Sequence, residues 1–302
     1  MIILTPTFSQ SSGEKIGRLI GADTQLVEYR VFPNGEVLAR INQPESIKGN
    51  NVVLYYPTYP DTNNRVIHLL QTLEILGHYN AENITLIIPY LSYCRQDKRF
   101  REGESLSLKL LLDILYDMNV DLLISINPHS KEALKKYSKF KVETISLFKP
   151  LINKLLSSIT EANRDDIIFI SPDLGRCKDV KKLAESFGVN HICLEKIRDR
   201  DTGEISYKYV DEIKGYRLGL IIDDEISTGG TMALAIKYLN KYDIKYIYTA
   251  AIHLLLINNA EKKIFSAGAS GIFGTNTVEN PFYVIRIEEY IADKLRMIGI
   301  SN

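Results

Sequence analysis

The chain has 302 residues, enough to bury one large core or two medium ones, and two domains are the default at this length. Apolar residues make up 45% and charged residues 25%, with 37 basic against 37 acidic side chains, so no charge excess draws the chain to nucleic acid or to an anionic membrane. No apolar run approaches the roughly eighteen residues of a membrane span, and MIILTPTFSQ lacks the basic start and apolar stretch of a secretory leader, so a cytoplasmic location is expected.

Met1 to Asp61 reads as short strands, at Leu26 to Phe32, Val37 to Ile41 and Val52 to Tyr56, with one helix around Gly13 to Leu19. Phe32-Pro33-Asn34-Gly35-Glu36 is the tight corner, since Asn-Gly between two strand-like runs signals a hairpin. From Thr62 to His78, Val66, Leu69, Leu70, Leu73 and Leu76 share one helical face, and Ile84 to Ile88 reads as a buried strand. Tyr93 to Arg101 then packs Arg95, Lys98, Arg99 and Arg101 around Gln96 and Asp97. Such a run is either a solvated loop or, at the carboxyl end of a parallel strand, a set of guanidinium groups facing a ligand crevice. Glu104 or Ser105 is expected to cap the next helix, whose stripe is Leu108, Leu111, Leu112 and Leu115. Asp121 to Ile126 is a further strand, ending in Asn127-Pro128-His129-Ser130, where His129 is an ordinary histidine or a ligand at a strand terminus.

A domain change is expected near Lys141 to Lys149, followed by a helix from Phe148 to Ser158. Ile167 to Ile170 ends in Ser171-Pro172-Asp173, a helix covers about Lys178 to Phe187, and His191 to Leu194 leads into Glu195-Lys196-Ile197-Arg198. Residues 199–204 read as a hairpin loop or a lid, and His253 as a satisfied core residue within the strand Tyr246 to Ile257. Phe282 to Ile285 is a last strand and Ile287 to Met297 a last helix. The halves look duplicated, with Val52 to Tyr56, Ile84 to Ile88 and Asp121 to Ile126 matched to Ile167 to Ile170, His191 to Leu194 and Leu218 to Ile222. Cys94, Cys177 and Cys193 show no C-x-x-C spacing, so reduced thiols are expected and neither a disulfide framework nor a zinc site.

The most informative stretch is Leu220 to Met232, LIIDDEISTGGTM. An apolar strand, a hydroxyl-and-glycine turn and a helix start make an anion site, because the unpaired N–H groups of the first helical turn point into the turn. Ser227, Thr228, Gly229, Gly230 and Thr231 are its expected phosphate ligands, while Asp223 and Asp224 suit the vicinal hydroxyls of a sugar or a divalent ion. No Lys follows the glycines, which excludes a Walker P-loop. The stretch resembles the phosphoribosyl-diphosphate loop of the type I phosphoribosyltransferase fold.

In chain order, FPNGE, YCRQDKR, NPH, SPD, EKIR, DDEISTGGT and GTNT resemble the ribose-phosphate pyrophosphokinase family over nearly the whole chain. The resemblance implies an α/β protein of two similar phosphoribosyltransferase-like domains, each a mainly parallel sheet flanked by helices. Residues 1–145 would bind ATP, with the terminal helix 287–302 able to pack on them. Residues 146–286 would bind ribose 5-phosphate and carry a flexible catalytic loop, 196–205. The activity implied is transfer of the β,γ-diphosphoryl group of Mg-ATP to the anomeric hydroxyl, giving phosphoribosyl diphosphate and AMP.

By the same resemblance, Arg95, Gln96 and Asp97 hold ATP together with Phe32, Asn34, Gly35 and Glu36 of a neighbouring subunit's hairpin. Asp223, Asp224, Ser227, Thr228, Gly229, Gly230, Thr231 and Arg198 hold ribose 5-phosphate. Lys196 and Arg198 are the catalytic pair, and His129 and Asp173 match positions for Mg²⁺. Asn127, Arg176 and Ser227 depart from the common family pattern of Asp, Gly and Asp at those places. Two other readings remain: a phosphoribosyltransferase that consumes the diphosphate, against which FPNGE and RQD speak, and a non-catalytic regulatory subunit, which losing Lys196 or Arg198 would favour.

Overall fold

The computed structural model describes residues 1–159, 163–198, 205–208 and 213–301. The chain divides into two compact units, Met1–Ser146 with Ile287–Asn302, and Leu147–Arg286.

In the first unit β1 (Ile2–Pro6), β4 (Asn51–Tyr55), β5 (Asn83–Ile88) and β6 (Leu122–Ile126) are near-continuous apolar runs buried along almost their whole length. This is what parallel strands covered on both faces require. With β2 (Asp23–Val31), β3 (Val37–Ile41) and β7 (Lys141–Ile145) they form a sheet in the order β3-β2-β1-β4-β5-β6-β7. Only β3 is antiparallel, and its alternating burial marks it as an edge strand. The helices are α1 (Gln10–Ile20), α2 (Thr62–His78), α3 (Ser107–Asp117), α4 (Lys131–Tyr137) and α9 (Glu288–Met297). The last of these rejoins the unit from the far end of the chain. Ser12 Oγ donates to Glu288 Oε1 at 2.8 Å, and Lys294 Nζ lies 2.7 Å from Glu143 Oε2 on β7.

In the second unit β8 (Ile167–Ser171), β9 (Asn190–Cys193), β12 (Leu218–Ile226), β13 (Tyr246–Leu254), β14 (Gly271–Thr275) and β15 (Tyr283–Ile285) form a parallel sheet in the order β15-β14-β13-β12-β8-β9. α5 (Phe148–Ser158), α6 (Cys177–Phe187), α7 (Gly230–Leu239) and α8 (Ala260–Ser266) complete it, and β10 (Lys196–Arg198) and β11 (Ile205–Tyr207) pair as a separate antiparallel ribbon.

Taken in chain order, the six parallel strands of each unit share one arrangement, second-first-third-fourth-fifth-sixth, with an antiparallel excursion between second and third. The duplication is therefore visible, but its register differs from the sequence expectation. β12 corresponds to β4, and the NPHS turn after β6 corresponds to the end of β14. Motif order suggested otherwise because the units carry different loops on equivalent strands.

The two units also differ at the place where their topology favours ligands. Ligands of open α/β sheets sit where the strand order reverses, here outside β1 and β4 or outside β8 and β12. In the first unit rings occupy that region: Phe8 meets Tyr29 and Tyr56 edge-on, at 5.2 and 5.8 Å between centroids. The Arg65 guanidinium stacks 3.9 Å above Phe8 and donates to the Tyr59 carbonyl at 2.6 Å.

Two local expectations are corrected. α3 starts after Leu106 without a side-chain cap; the Glu104 carboxylate instead accepts the Phe100 and Arg101 N–H groups at 2.9 and 3.0 Å, and Ser105 Oγ pairs with Ser107 Oγ. The second correction concerns the thiols, since Cys177 and Cys193 form a disulfide and Cys94 is free and buried. The β8-α6-β9 crossover returns the chain to its starting edge, so the first residue of α6 meets the last residue of β9 although 16 positions separate them.

Candidate functional site

The carboxyl edge of the second sheet gathers most of the predicted residues. β12 runs past Asp223 and Asp224 to Ile226, buried except for half-buried Asp223; β8 pairs with it as far as Ile221 and β13 along to Ile226. Gly229 then takes φ +70°, and α7 starts at Gly230. A side chain at Gly229 would be strained by that φ and would meet the Ala260 carbonyl at 3.0 Å, so glycine is required there. The loop is fastened from the β13–α8 side: Ile257 N–H donates to Ser227 O at 3.0 Å and Lys263 Nζ to Thr228 O at 3.0 Å. Thr228 and Gly230 are exposed and Ser227 and Thr231 half-buried, which leaves the turn open to an anion.

Asp173 follows β8, the neighbouring strand. Its Oδ1 accepts the Gly175 N–H at 3.0 Å, and its Oδ2 lies 3.3 Å from Lys196 Nζ. The same Nζ lies 3.4 Å from Thr231 Oγ1, so the predicted cation stands between an acid and the glycine turn. Tyr207 of β11 fixes the ribbon carrying Lys196 by donating from its hydroxyl to Pro172 O at 2.9 Å, and burial raises that phenol's pKa. Only the backbone of Arg198 can be placed, paired with Ile205; its side chain and residues 199–204 of the expected catalytic loop lie outside the described residues.

The acid pair is not bare. The Arg176 guanidinium, 16% exposed, hydrogen-bonds Asp224 Oδ2 through Nη2, and its Nε lies 3.9 Å from Asp223 Oδ1. That oxygen also accepts the Asp224 N–H at 2.8 Å. Burial raises the pKa of Asp223 well above the ordinary carboxylate range, and the neighbouring Asp224 charge adds to the shift. Burial works against the charge on Arg176, but Asp224 and Asp223 outweigh it and raise its pKa. Sequence reading flagged Arg176 only as a departure; its contact with residues 47 and 48 positions away becomes visible once β8 and β12 pair.

The remaining predicted residues lie at the carboxyl edge of the first sheet. The β2–β3 corner is the expected hairpin: Gly35 takes φ +89°, Phe32 N–H donates to Glu36 O at 2.8 Å, and Asn34 Oδ1 accepts the Glu36 N–H at 3.2 Å. Asn34, Gly35 and Glu36 are exposed and Phe32 half-buried, with the Arg30 guanidinium 4.9 Å from its ring. Arg95 and Gln96 are exposed and Asp97 half-buried in the segment after β5. Gln96 anchors that segment to α3, since its side-chain oxygen accepts from Ser107 Oγ and its carbonyl from Leu108 N–H at 3.3 Å. His129 is exposed after β6, in the other unit from Asp173. His253 is 3% exposed, with Nδ1 2.9 Å from Thr277 Oγ1, a satisfied core histidine.

Among the described residues no group of three or more His, Cys, Asp or Glu side chains is arranged to hold a metal. An accessible carboxylate such as Asp173, with one oxygen oriented by a backbone N–H, suits a hard cation that brings most of its ligands with a polyphosphate; this is how Mg²⁺ is usually held.

Fold and loop together define a protein of the type I phosphoribosyltransferase class. Known proteins narrow this further. Residues 1–118 match the family model of the N-terminal domain of ribose phosphate pyrophosphokinase. The chain is 34% identical to a ribose-phosphate pyrophosphokinase of Sulfurisphaera tokodaii over 92% of its own length and 93% of the relative's. It is 32% identical to one of Methanopyrus kandleri over 99% and 100%. In fold it is similar to the crystal structure of phosphoribosylpyrophosphate synthetase from Mycobacterium smegmatis, with a TM-score of 0.86, 24% identity and 98% of each chain covered. The chain belongs to the ribose-phosphate pyrophosphokinase family.

Proposed function

We propose that the protein is a ribose-phosphate diphosphokinase, transferring the β,γ-diphosphoryl group of ATP to the anomeric hydroxyl of ribose 5-phosphate and releasing AMP and phosphoribosyl diphosphate. The observation that carries the reading is Lys196 Nζ within 3.4 Å of both Thr231 Oγ1 and Asp173 Oδ2, at the rim of an open glycine turn. Ribose 5-phosphate has its phosphate on residues 227–231 and its diol on Asp223 and Asp224. ATP lies on the first unit, against Arg95, Gln96 and Asp97.

In-line attack by the sugar oxygen spreads negative charge over the oxygens around the β-phosphorus, and Lys196, with Arg198, is the preorganised cation that meets it. Asp173 and His129 would help hold Mg²⁺, which when bound neutralises phosphate charge and polarises the transferred group. Three strand spacings, about 14 Å, separate β2 from β5 within one sheet. That separation supports a hairpin offered to a second copy of the chain, where Phe32 stacks on adenine and Asn34 and Glu36 accept from its amino group. A cytoplasmic site of action goes with these substrates, and no helix among the described residues is long and apolar enough to cross a membrane.

Incubation with ATP, Mg²⁺ and ribose 5-phosphate, followed by anion-exchange separation of the nucleotides, tests the reading. AMP formed in step with sugar consumption is expected, whereas ADP means simple phosphoryl transfer, and an untouched ATP pool means that the chain is not the catalytic subunit.

A further inference from the structure

Asp223 and Asp224 pose an electrostatic problem. Two successive carboxylates stand inside the buried strand β12, just ahead of a turn built for a phosphate, and a diol is bound best by acceptors that are fixed in direction.

Arg176 stands where this conflict is. It is the residue before α6, and its guanidinium reaches three carboxylates: Nη2 to Asp224 Oδ2, Nε at 3.9 Å from Asp223 Oδ1, and Nη1 at 3.4 Å from Asp179 Oδ2. Its side chain is 16% exposed and those of Asp223 and Asp224 are 15% and 7% exposed, so solvent screens the group poorly. Asp179 is half exposed and lies one helical turn on, giving the guanidinium a further carboxylate contact. A planar fork spans two carboxylates at fixed angles, which an ammonium cannot do. The Cys177–Cys193 disulfide, beginning at the next residue, ties this turn to the end of β9.

We propose that Arg176 is a positioning residue for pentose recognition, holding the Asp223 and Asp224 carboxylates in a fixed orientation as acceptors for the 2- and 3-hydroxyls of the sugar phosphate, and so setting the discrimination of ribose against 2-deoxyribose. It touches no reacting atom. The inference rests on the reading of this edge as the ribose 5-phosphate site.

The test is calorimetric titration of the full chain with ribose 5-phosphate and with 2-deoxyribose 5-phosphate, magnesium chloride being present throughout. The native protein should prefer ribose by about tenfold or more, the range expected for one hydrogen bond to a charged acceptor. Arg176→Ala should bring the ratio to within about twofold, mainly through weaker binding of ribose 5-phosphate, because the phosphate turn is unchanged. Arg176→Lys, which keeps the charge and loses the fork, should fall between them, about threefold below the native ratio. Circular dichroism identifies a misfolded Arg176→Ala, in which case the lysine variant decides alone. A native ratio in the variant that folds overturns the proposal, and so does tighter binding of ribose 5-phosphate by Arg176→Ala, which would make the arginine a plug. Failure of the native protein to bind either sugar phosphate removes the site reading itself, and the inference with it.

Discussion

Lys196 shows how much one side chain can be asked to do. Its ammonium reaches across from its own ribbon to the turns after β8 and β12. Lys196→Ala should lower the turnover number by about a hundredfold or more with the affinity for ATP nearly intact, as removal of a single preorganised donor does. An unchanged turnover number would take Lys196 out of the mechanism. A second residue reports on the other unit. His68 is fully buried, its Nε2–H donating to Glu28 O at 2.9 Å and its Nδ1 accepting from the Tyr56 hydroxyl at 2.6 Å. Burial lowers its pKa, so the folded chain takes up the proton less readily than the unfolded one. The stability of the first unit should therefore fall as pH drops from about 6.5, the ordinary imidazole value, toward the lower folded value. Denaturant curves at about pH 7.5 and about pH 5 should show this loss, and His68→Gln should reduce it; equal losses in both proteins would contradict the assignment.

At the scale of elements, the chain was most legible where burial was complete. β4, β5, β6, β8 and the first half of β12 are buried and mostly apolar runs between turn residues, and such runs have few other fates in an α/β protein. β7, reading KVETI at a sheet edge, and α4, seven residues long, carry too few apolar positions for either period to stand out. The hairpin was legible from Asn34-Gly35, and the phosphate turn from Gly229-Gly230, because backbone conformation dictated both. Long-range pairings left no such mark. Neither the disulfide nor the clasp of Arg176 on Asp224 can be read without knowing that β8 lies between β9 and β12. The disulfide carries its own prediction. Closing a loop across 16 positions should contribute about 3 kcal/mol, so reduction or Cys193→Ser should lower the denaturant midpoint of the second unit. Coincident curves with and without reductant would show that the cross-link contributes nothing.

For the whole molecule, the shared strand order of the two units means that one sheet plan has been given two tasks by its loops. Rings and Arg65 fill the switch point of the first unit, while the second keeps the glycine turn. If the hairpin completes a neighbour's ATP site, association is part of catalysis, and two differently damaged chains should repair one another. Lys196→Ala mixed with Phe32→Ala should regain activity in about a quarter of the sites, those pairing an intact hairpin with an intact Lys196. A mixture no more active than its components would confine the site to single chains.

The identity of the sugar product is the decisive property of this protein. Phosphorus NMR of the complete reaction should show a diphosphate whose sugar-linked phosphorus couples to the anomeric proton of ribose 5-phosphate, growing as AMP accumulates. A single phosphate at that carbon, accompanied by ADP, would contradict it.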